Sequence, residues 1–195
     1  MSNAVCAVFA LTYTVLAQRR SLAASLTGAF LVWFCCAALS RLVEWNAASA
    51  ALLNAVVFPL AILAGRRFLA DGAIKRVEFT AADLAWRAGV VTLCVIVVTA
   101  ASNSIGSYAS GLFAFFPVAM GSFFVILHPR IGGSASASVA AHVLTPLIGL
   151  GLSLLVVHWL AEPIGVWWSY AVGLSVGIGW NALLSGLRQW SLLPA

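Results

Sequence analysis

Residues 88–129, AGVVTLCVIVVTAASNSIGSYASGLFAFFPVAMGSFFVILHP, contain no Lys, Arg, Asp or Glu. A bilayer core is roughly 30 Å thick and is crossed by about 20 apolar residues in a helix, so this stretch is too long for one span. Its centre, SNSIGS at 102–107, is polar and rich in residues that favour turns. The stretch therefore predicts a hairpin of two transmembrane helices.

The rest of the chain shares this composition. Apolar residues make up 63% of the sequence and charged residues 8%, a balance that a soluble domain of this size cannot present to water. The apolar runs are continuous and do not alternate as in a membrane barrel. We predict an all-α, polytopic transmembrane bundle of about seven helices, at 3–17, 22–43, 47–65, 84–102, 109–127, 136–159 and 164–187.

The basic residues indicate an orientation. In this arrangement nine of the ten Lys and Arg residues fall on one side of the bilayer, and Arg41 falls on the other. The positive-inside rule then predicts a bacterial inner-membrane protein with its N-terminus outside and its C-terminus in the cytoplasm. Treating 88–129 as one span would move Arg130 away from the other basic loops. The net charge of +5 is explained by these loops, so we predict lipid and no nucleic acid as the partner.

The segment 3–17 is short, and a secretory signal peptide is the alternative to a retained helix. It has no basic n-region, and AQRR at 17–20 is a poor cleavage context, so we expect a retained helix. The four cysteines all lie within predicted spans, where we expect inert free thiols: Cys6, Cys35, Cys36 and Cys94.

Two parts of the chain follow a similar order of apolar spans and charged loops. YTVLAQR at 13–19 can be aligned with FVILHPR at 124–130, and each ends a span before a basic loop. This predicts a parallel 3+1+3 repeat, while chance similarity between hydrophobic helices is the alternative. The predicted units are a three-helix unit at 1–67, a cytoplasmic linker at 68–83 and a four-helix unit at 84–187. That last unit consists of the lone helix 84–102 and the second three-helix unit, 109–187.

The run YASGLFAFFP at 108–117 resembles the GlpM-type family of small four-helix bacterial inner-membrane proteins. The likeness extends over residues 84–187. It implies a polytopic inner-membrane protein linked to envelope polysaccharide production, and it carries over no catalytic residues.

Enzymatic signatures are absent from the sequence, which has no Walker motif and no Gly-x-Ser-x-Gly elbow. We predict no enzyme, no cofactor and no metal. The candidate solute-binding residues are His142, inside the span 136–159, and Pro117, Gly121 and Ser122, where breakers can interrupt a helix and expose its backbone. A histidine hydrogen-bonded to a neighbouring helix, and glycine and proline that serve packing, are the plainer alternatives.

Two functions stay open at this stage. One is a small-solute permease with a path between the repeats, for a neutral or weakly polar solute. The other is a non-transporting membrane component that supports envelope assembly or a partner protein. GLSVG at 173–177 is a small-xxx-small face, predicted as a helix contact and secondarily as a homo-oligomer seam. A cavity near mid-membrane lined by polar groups from the spans 109–127 and 136–159 favours the first function, and a solid bundle with this face exposed favours the second.

Overall fold

The computed structural model describes residues 1–69 and 79–189, so most of the predicted linker, at 70–78, lies outside the described residues. The described chain is helical and contains no strand. A one-turn 3-10 helix, Ser40–Leu42, extends the second helix. The seven α-helices are α1 (Ser2–Ala17), α2 (Leu22–Leu39), α3 (Ala47–Arg66), α4 (Ala81–Ala114), α5 (Val118–Ile131), α6 (Gly133–Ile164) and α7 (Val166–Gln189). The all-α, seven-helix prediction is confirmed.

Six segments of the described chain are long and apolar enough to cross a bilayer, so the chain is a multi-pass integral membrane protein. They are Leu22–Leu42, Ala47–Arg66, Ala81–Ala100, Tyr108–Ile131, Gly133–Ile164 and Val166–Leu187. The seventh helix, α1, has 16 residues and is about 24 Å long at 1.5 Å per residue, which is less than a bilayer core.

Helix α1 lies at the centre of the bundle, where it contacts α2, α3 and α6. Phe9, Ala10, Tyr13 and Thr14 are fully buried along its length. Because neighbouring helices enclose it, α1 need not match the thickness of the lipid. A segment packed in this way is a structural part of the bundle.

Contacts near both ends of α1 give its direction relative to α6. Asn3 at the start of α1 contacts Leu147, and Tyr13 near its end contacts Ser136, so α1 and α6 are antiparallel. Helix α3 also runs against α6, because Gly65 lies beside Leu144 and Asn54 lies beside the middle of α6. These directions agree with the predicted alternation, whereas the side that faces the cytoplasm stays a prediction.

The predicted hairpin in 88–129 is confirmed, with different boundaries. Thr80 and Asp83 form a capping box, which explains why α4 begins at Ala81 and not at 84. Gly106 then interrupts α4 with a φ of 78°, within the predicted polar turn. An Arg130–Asp83 salt bridge of 2.8 Å joins the end of α5 to the start of α4, so both lie on the same side.

The next span, α6, is longer than the predicted 136–159, whereas α7 has the predicted length and is shifted by two residues from 164–187. Helix α6 occupies Gly133–Ile164 and α7 occupies Val166–Gln189. The positive φ angles of Gly132 and Gly165, 84° and 81°, separate α6 from its neighbours. Short glycine junctions of this kind leave almost no loop between the helices.

The structure does not confirm the predicted repeat. Helix α1 packs against both α2 and α3, whereas in the second triplet α6 and α7 form the most extensive pair and α7 packs mainly on α6. One aligned pair does meet, because the rings of Tyr13 and Phe124 stack at 4.0 Å with an interplanar angle of 7°. The two aligned segments therefore lie at the same depth, and the repeat stays a prediction.

Candidate functional site

The sequence-predicted site residues already contact other parts of the protein. The polar side chains of His142 and Ser122 bond to backbone carbonyls of their own helices, and Gly121 packs against a neighbouring helix. His142 is half-buried, and its Nδ1 atom lies 2.8 Å from the Ser138 carbonyl oxygen in the preceding turn of α6. Ser122 donates to the Ala119 carbonyl at 3.1 Å. A Cβ atom at Gly121 would lie 2.9 Å from Phe30 of α2. Their role in solute binding stays a prediction.

Pro117 does interrupt a helix within the predicted span 109–127. It has no N–H to continue α4 and it disfavours a helical conformation in Phe116, so α4 ends at Ala114 and α5 begins at Val118. The carbonyl of Phe115, the residue that follows α4, accepts a hydrogen bond from the Cys6 thiol at 3.0 Å. A carbonyl at this break in the helix is therefore already bonded to a protein group.

A cavity of about 730 Å³ lies elsewhere, between α1, α3 and α6. None of the four predicted residues lines it. Its walls are mainly apolar and hold no Lys, Arg, Asp or Glu among the described residues. The residues that bear on its chemistry are Asn3, Asn46, Asn54, His158, Trp45 and Phe58. Few polar groups in an apolar cavity are typical of a site for a small organic molecule.

Two asparagine side chains meet in this cavity. Asn3 donates from Nδ2 to the Leu147 carbonyl at 3.0 Å and to Asn54 Oδ1 at 3.5 Å. Asn54 in turn donates from Nδ2 to the Ala50 carbonyl at 2.7 Å. Because backbone carbonyls can only accept, they fix the orientation of both amides.

This arrangement leaves one acceptor without a donor. Asn3 is 4% exposed, and its Oδ1 atom has no hydrogen-bond partner among the described residues. An unpaired buried amide oxygen costs free energy. The Oδ1 atom has less than 1 Å² of accessible surface, so it is enclosed by protein and does not face the cavity.

Gly151 of α6 makes the approach of Asn3 possible. A Cβ atom at this position would lie 2.8 Å from Asn3 Nδ2 and 3.9 Å from Asn54 Oδ1. The absence of a side chain therefore lets α1 and α3 bring their amides against the α6 backbone. At the mouth of the cavity, Asn46 and Ser49 form a capping box that fixes the start of α3.

Packed side chains close the other end of the cavity. Phe58 is 3% exposed and belongs both to the cavity wall and to a buried cluster with Ala7, Ala10, Ala61 and Leu144. The lining of the cavity therefore extends from Met1 at the beginning of α1 to Phe58 and Pro59 of α3.

A second buried polar cluster lies towards the other end of α1. The Tyr13 hydroxyl is 2.8 Å from His128 Nδ1 and 2.8 Å from Ser136 Oγ. These bonds connect α1 with α5 and α6. The Tyr13 hydroxyl, His128 Nδ1 and Ser136 Oγ bond to one another, so we interpret this cluster as a junction between helices.

Sequence reasoning missed Asn3 and Asn54 because it concentrated on titratable groups. Neutral amides within charge-free spans are also costly at membrane depth, and this signal could have identified both. Nothing in the sequence indicates that the two amides meet, since 51 residues separate them. Among the described residues, no group of three or more His, Cys, Asp or Glu side chains is placed to hold a metal ion.

Comparison with known proteins identified no relative of this chain. No family model, curated protein or solved structure matches the chain. The resemblance of residues 84–187 to the GlpM-type family is therefore unsupported by these comparisons.

Proposed function

We propose that this chain is a small-solute permease and that the cavity between α1, α3 and α6 is its solute site. The observation that carries the proposal is the mainly apolar cavity of about 730 Å³, whose polar lining residues include Asn3, Asn46, Asn54 and His158. A bundle packed only for stability keeps few voids larger than a water molecule, whereas a solute site needs one.

The shape of the cavity also supports transport. Its lining begins at Met1 and Asn46 and ends at Phe58, which is packed in a buried cluster, and a cavity limited in this way is expected for one state of an alternating-access cycle. Pro59 follows Phe58 inside α3 and removes one backbone hydrogen bond there. We therefore take α3 as the element that moves to open the other end.

The experiment is solute flux in proteoliposomes with a panel of small uncharged compounds. The test variant is Ala51→Trp, which places an indole in the cavity, and the matched control is Ala48→Trp on the exposed side of the same helix. We expect the parent and Ala48→Trp to transport a common solute, and Ala51→Trp to reduce its flux at least about tenfold. Equal flux through both variants would contradict this site.

The supporting-protein function is the second candidate, and one observation favours it. The Ala81–Ala100 segment of α4 has no buried residues within the chain, and Leu93, Val95, Ile96 and Val97 are all exposed. Such a face is available to a partner helix as well as to lipid. The 173–177 face gives no such support, because Gly173 and Gly177 already pack against Ser153 and Val157 of α6. Absence of parent flux across the panel would favour this second function.

A further inference from the structure

Arg87 lies inside a transmembrane segment and has no anionic partner among the described residues. Its Cζ atom is 5.0 Å from the ring centroid of Phe123 on α5, and the side chain is half-buried. It forms no ion pair or hydrogen bond with the part of the chain that the structure describes. A guanidinium is always charged, and a charge within a span is costly unless an anion lies near it.

Asp83, one turn before Arg87 on α4, does not serve as this anion because both of its oxygens are already bonded. Its Oδ1 atom accepts from Arg130 Nη2 at 2.8 Å, and its Oδ2 atom accepts from the N–H and the hydroxyl of Thr80 at 2.9 Å each. Two arginines and one aspartate therefore leave one positive charge in this cluster.

We propose that Arg87 binds the phosphate of an anionic phospholipid on the outer surface of α4 and α5. This lipid site is separate from the cavity between α1, α3 and α6, whose lining does not include Arg87, Phe123 or Arg130. The inference does not rest on the proposed function, so either can fail while the other stands.

The position and the chemistry of Arg87 suit a lipid headgroup. Arg87 is the seventh residue of α4, about 9 Å along the helix from Ala81 at 1.5 Å per residue, and long arginine side chains at this depth extend back to the interface. The Nε atom is enclosed by protein and takes no part in binding. The two Nη atoms have no hydrogen-bond partner among the described residues, and such a pair can bond two phosphate oxygens at once.

The surface around Arg87 favours a lipid over a soluble anion. The Ala81–Ala100 segment has no buried residue, and Leu84 and Trp86 beside Arg87 are 63% and 57% exposed. A soluble phosphate offers nothing to cover this apolar surface, whereas the acyl chains of a phospholipid do. The cluster also lies at the basic end of the bundle, which we predict to face the leaflet rich in anionic lipids.

The test is native mass spectrometry of the full chain, released from detergent with equal amounts of phosphatidylglycerol and phosphatidylcholine that have the same acyl chains. We expect the parent to retain the first phosphatidylglycerol about fivefold more tightly, because the choline ammonium offsets the charge of its own phosphate. We expect Arg87→Gln to reduce this ratio to near one. Arg20→Gln is the matched control, since it removes one positive charge at the same end from an exposed side chain and should keep the ratio.

Several outcomes would overturn the inference. They are equal retention of the two lipids by the parent, a preference that survives in Arg87→Gln, or a preference lost equally in Arg20→Gln, which would reflect net charge alone. A dimer of the parent that Arg87→Gln dissociates, without a lipid preference, would assign this surface to a protein partner instead.

If Arg87→Gln is not produced as a folded protein, Arg87→Lys decides. Lysine keeps the charge but not the planar pair of Nη donors, so we expect a ratio between that of the parent and one. A ratio equal to that of the parent would contradict binding through the two Nη atoms.

Discussion

Tyr13 is the residue at which α1, α5 and α6 are joined by hydrogen bonds. Its side chain is fully buried, its ring stacks on Phe124, and its hydroxyl contacts both His128 and Ser136. Hydrogen bonds between membrane helices contribute modestly, about 0.6 kcal/mol on average, but a buried partner left unpaired adds a desolvation cost.

We expect Tyr13→Phe to lower the free energy of unfolding by about 1 kcal/mol, because the stacked ring remains while Ser136 and His128 lose a partner. The measurement is unfolding of the purified protein in detergent titrated with SDS. Tyr170→Phe is the control, since Tyr170 is exposed on α7 and its stability effect should be small. Equal stability of the parent and Tyr13→Phe would show that this junction contributes nothing.

At the scale of elements, the turn between α5 and α6 determines how closely α1 and α6 approach. Gly132 has a φ of 84°, a conformation that residues with a side chain rarely adopt. Gly133 begins α6 directly against the carbonyl of Ala17 at the end of α1, and a Cβ atom there would overlap that oxygen. The two glycines serve different purposes, one in the backbone conformation and the other in the packing.

We expect Gly133→Ala to destabilise the protein by about 1–3 kcal/mol, because the backbone oxygen of Ala17 cannot yield as a side chain can. Gly111→Ala is the control, because a Cβ atom at Gly111 meets nothing within 4 Å and alanine favours the helix. The comparison uses the same SDS titration. A Gly133→Ala variant as stable as Gly111→Ala would mean that α1 and α6 are less closely packed than described.

At the scale of the whole molecule, the two ends of the bundle differ in charge. Arg19 and Arg20 follow α1, and Arg130 precedes α6, so all three lie at one end, whereas Arg41 and Glu44 lie at the other. This distribution supports the predicted orientation, with the basic end in the cytoplasm.

The orientation can be tested by labelling single cysteines in a background lacking Cys6, Cys35, Cys36 and Cys94. We expect an impermeant maleimide added to intact cells to label Glu44→Cys and to miss Arg20→Cys until the membrane is permeabilised. Both positions are exposed, so accessibility on the protein surface does not explain the difference. The reverse pattern would invert the topology and place the end of the cavity that contains Met1 and Asn46 on the cytoplasmic side.

The sequence by itself determined the number of helices, their approximate limits and the hairpin in 88–129. These features depend on local properties: the length of apolar runs, the positions of charges, and the turn-forming residues near Gly106. Local capping accounts for the shifted start of α4, since Thr80 and Asp83 bond to each other's backbone N–H groups.

Only the tertiary structure decided which helix is central and where the cavity lies. By length α1 is the weakest span, yet α2, α3 and α6 enclose it, a property of its neighbours that its own hydropathy does not contain. The cavity depends in the same way on Asn3, Asn54 and Gly151, which come from three helices and are brought together only by packing. In lipid every span is apolar, so the sequence distinguishes helix from loop well, but it distinguishes a lipid-facing side chain from a buried one poorly.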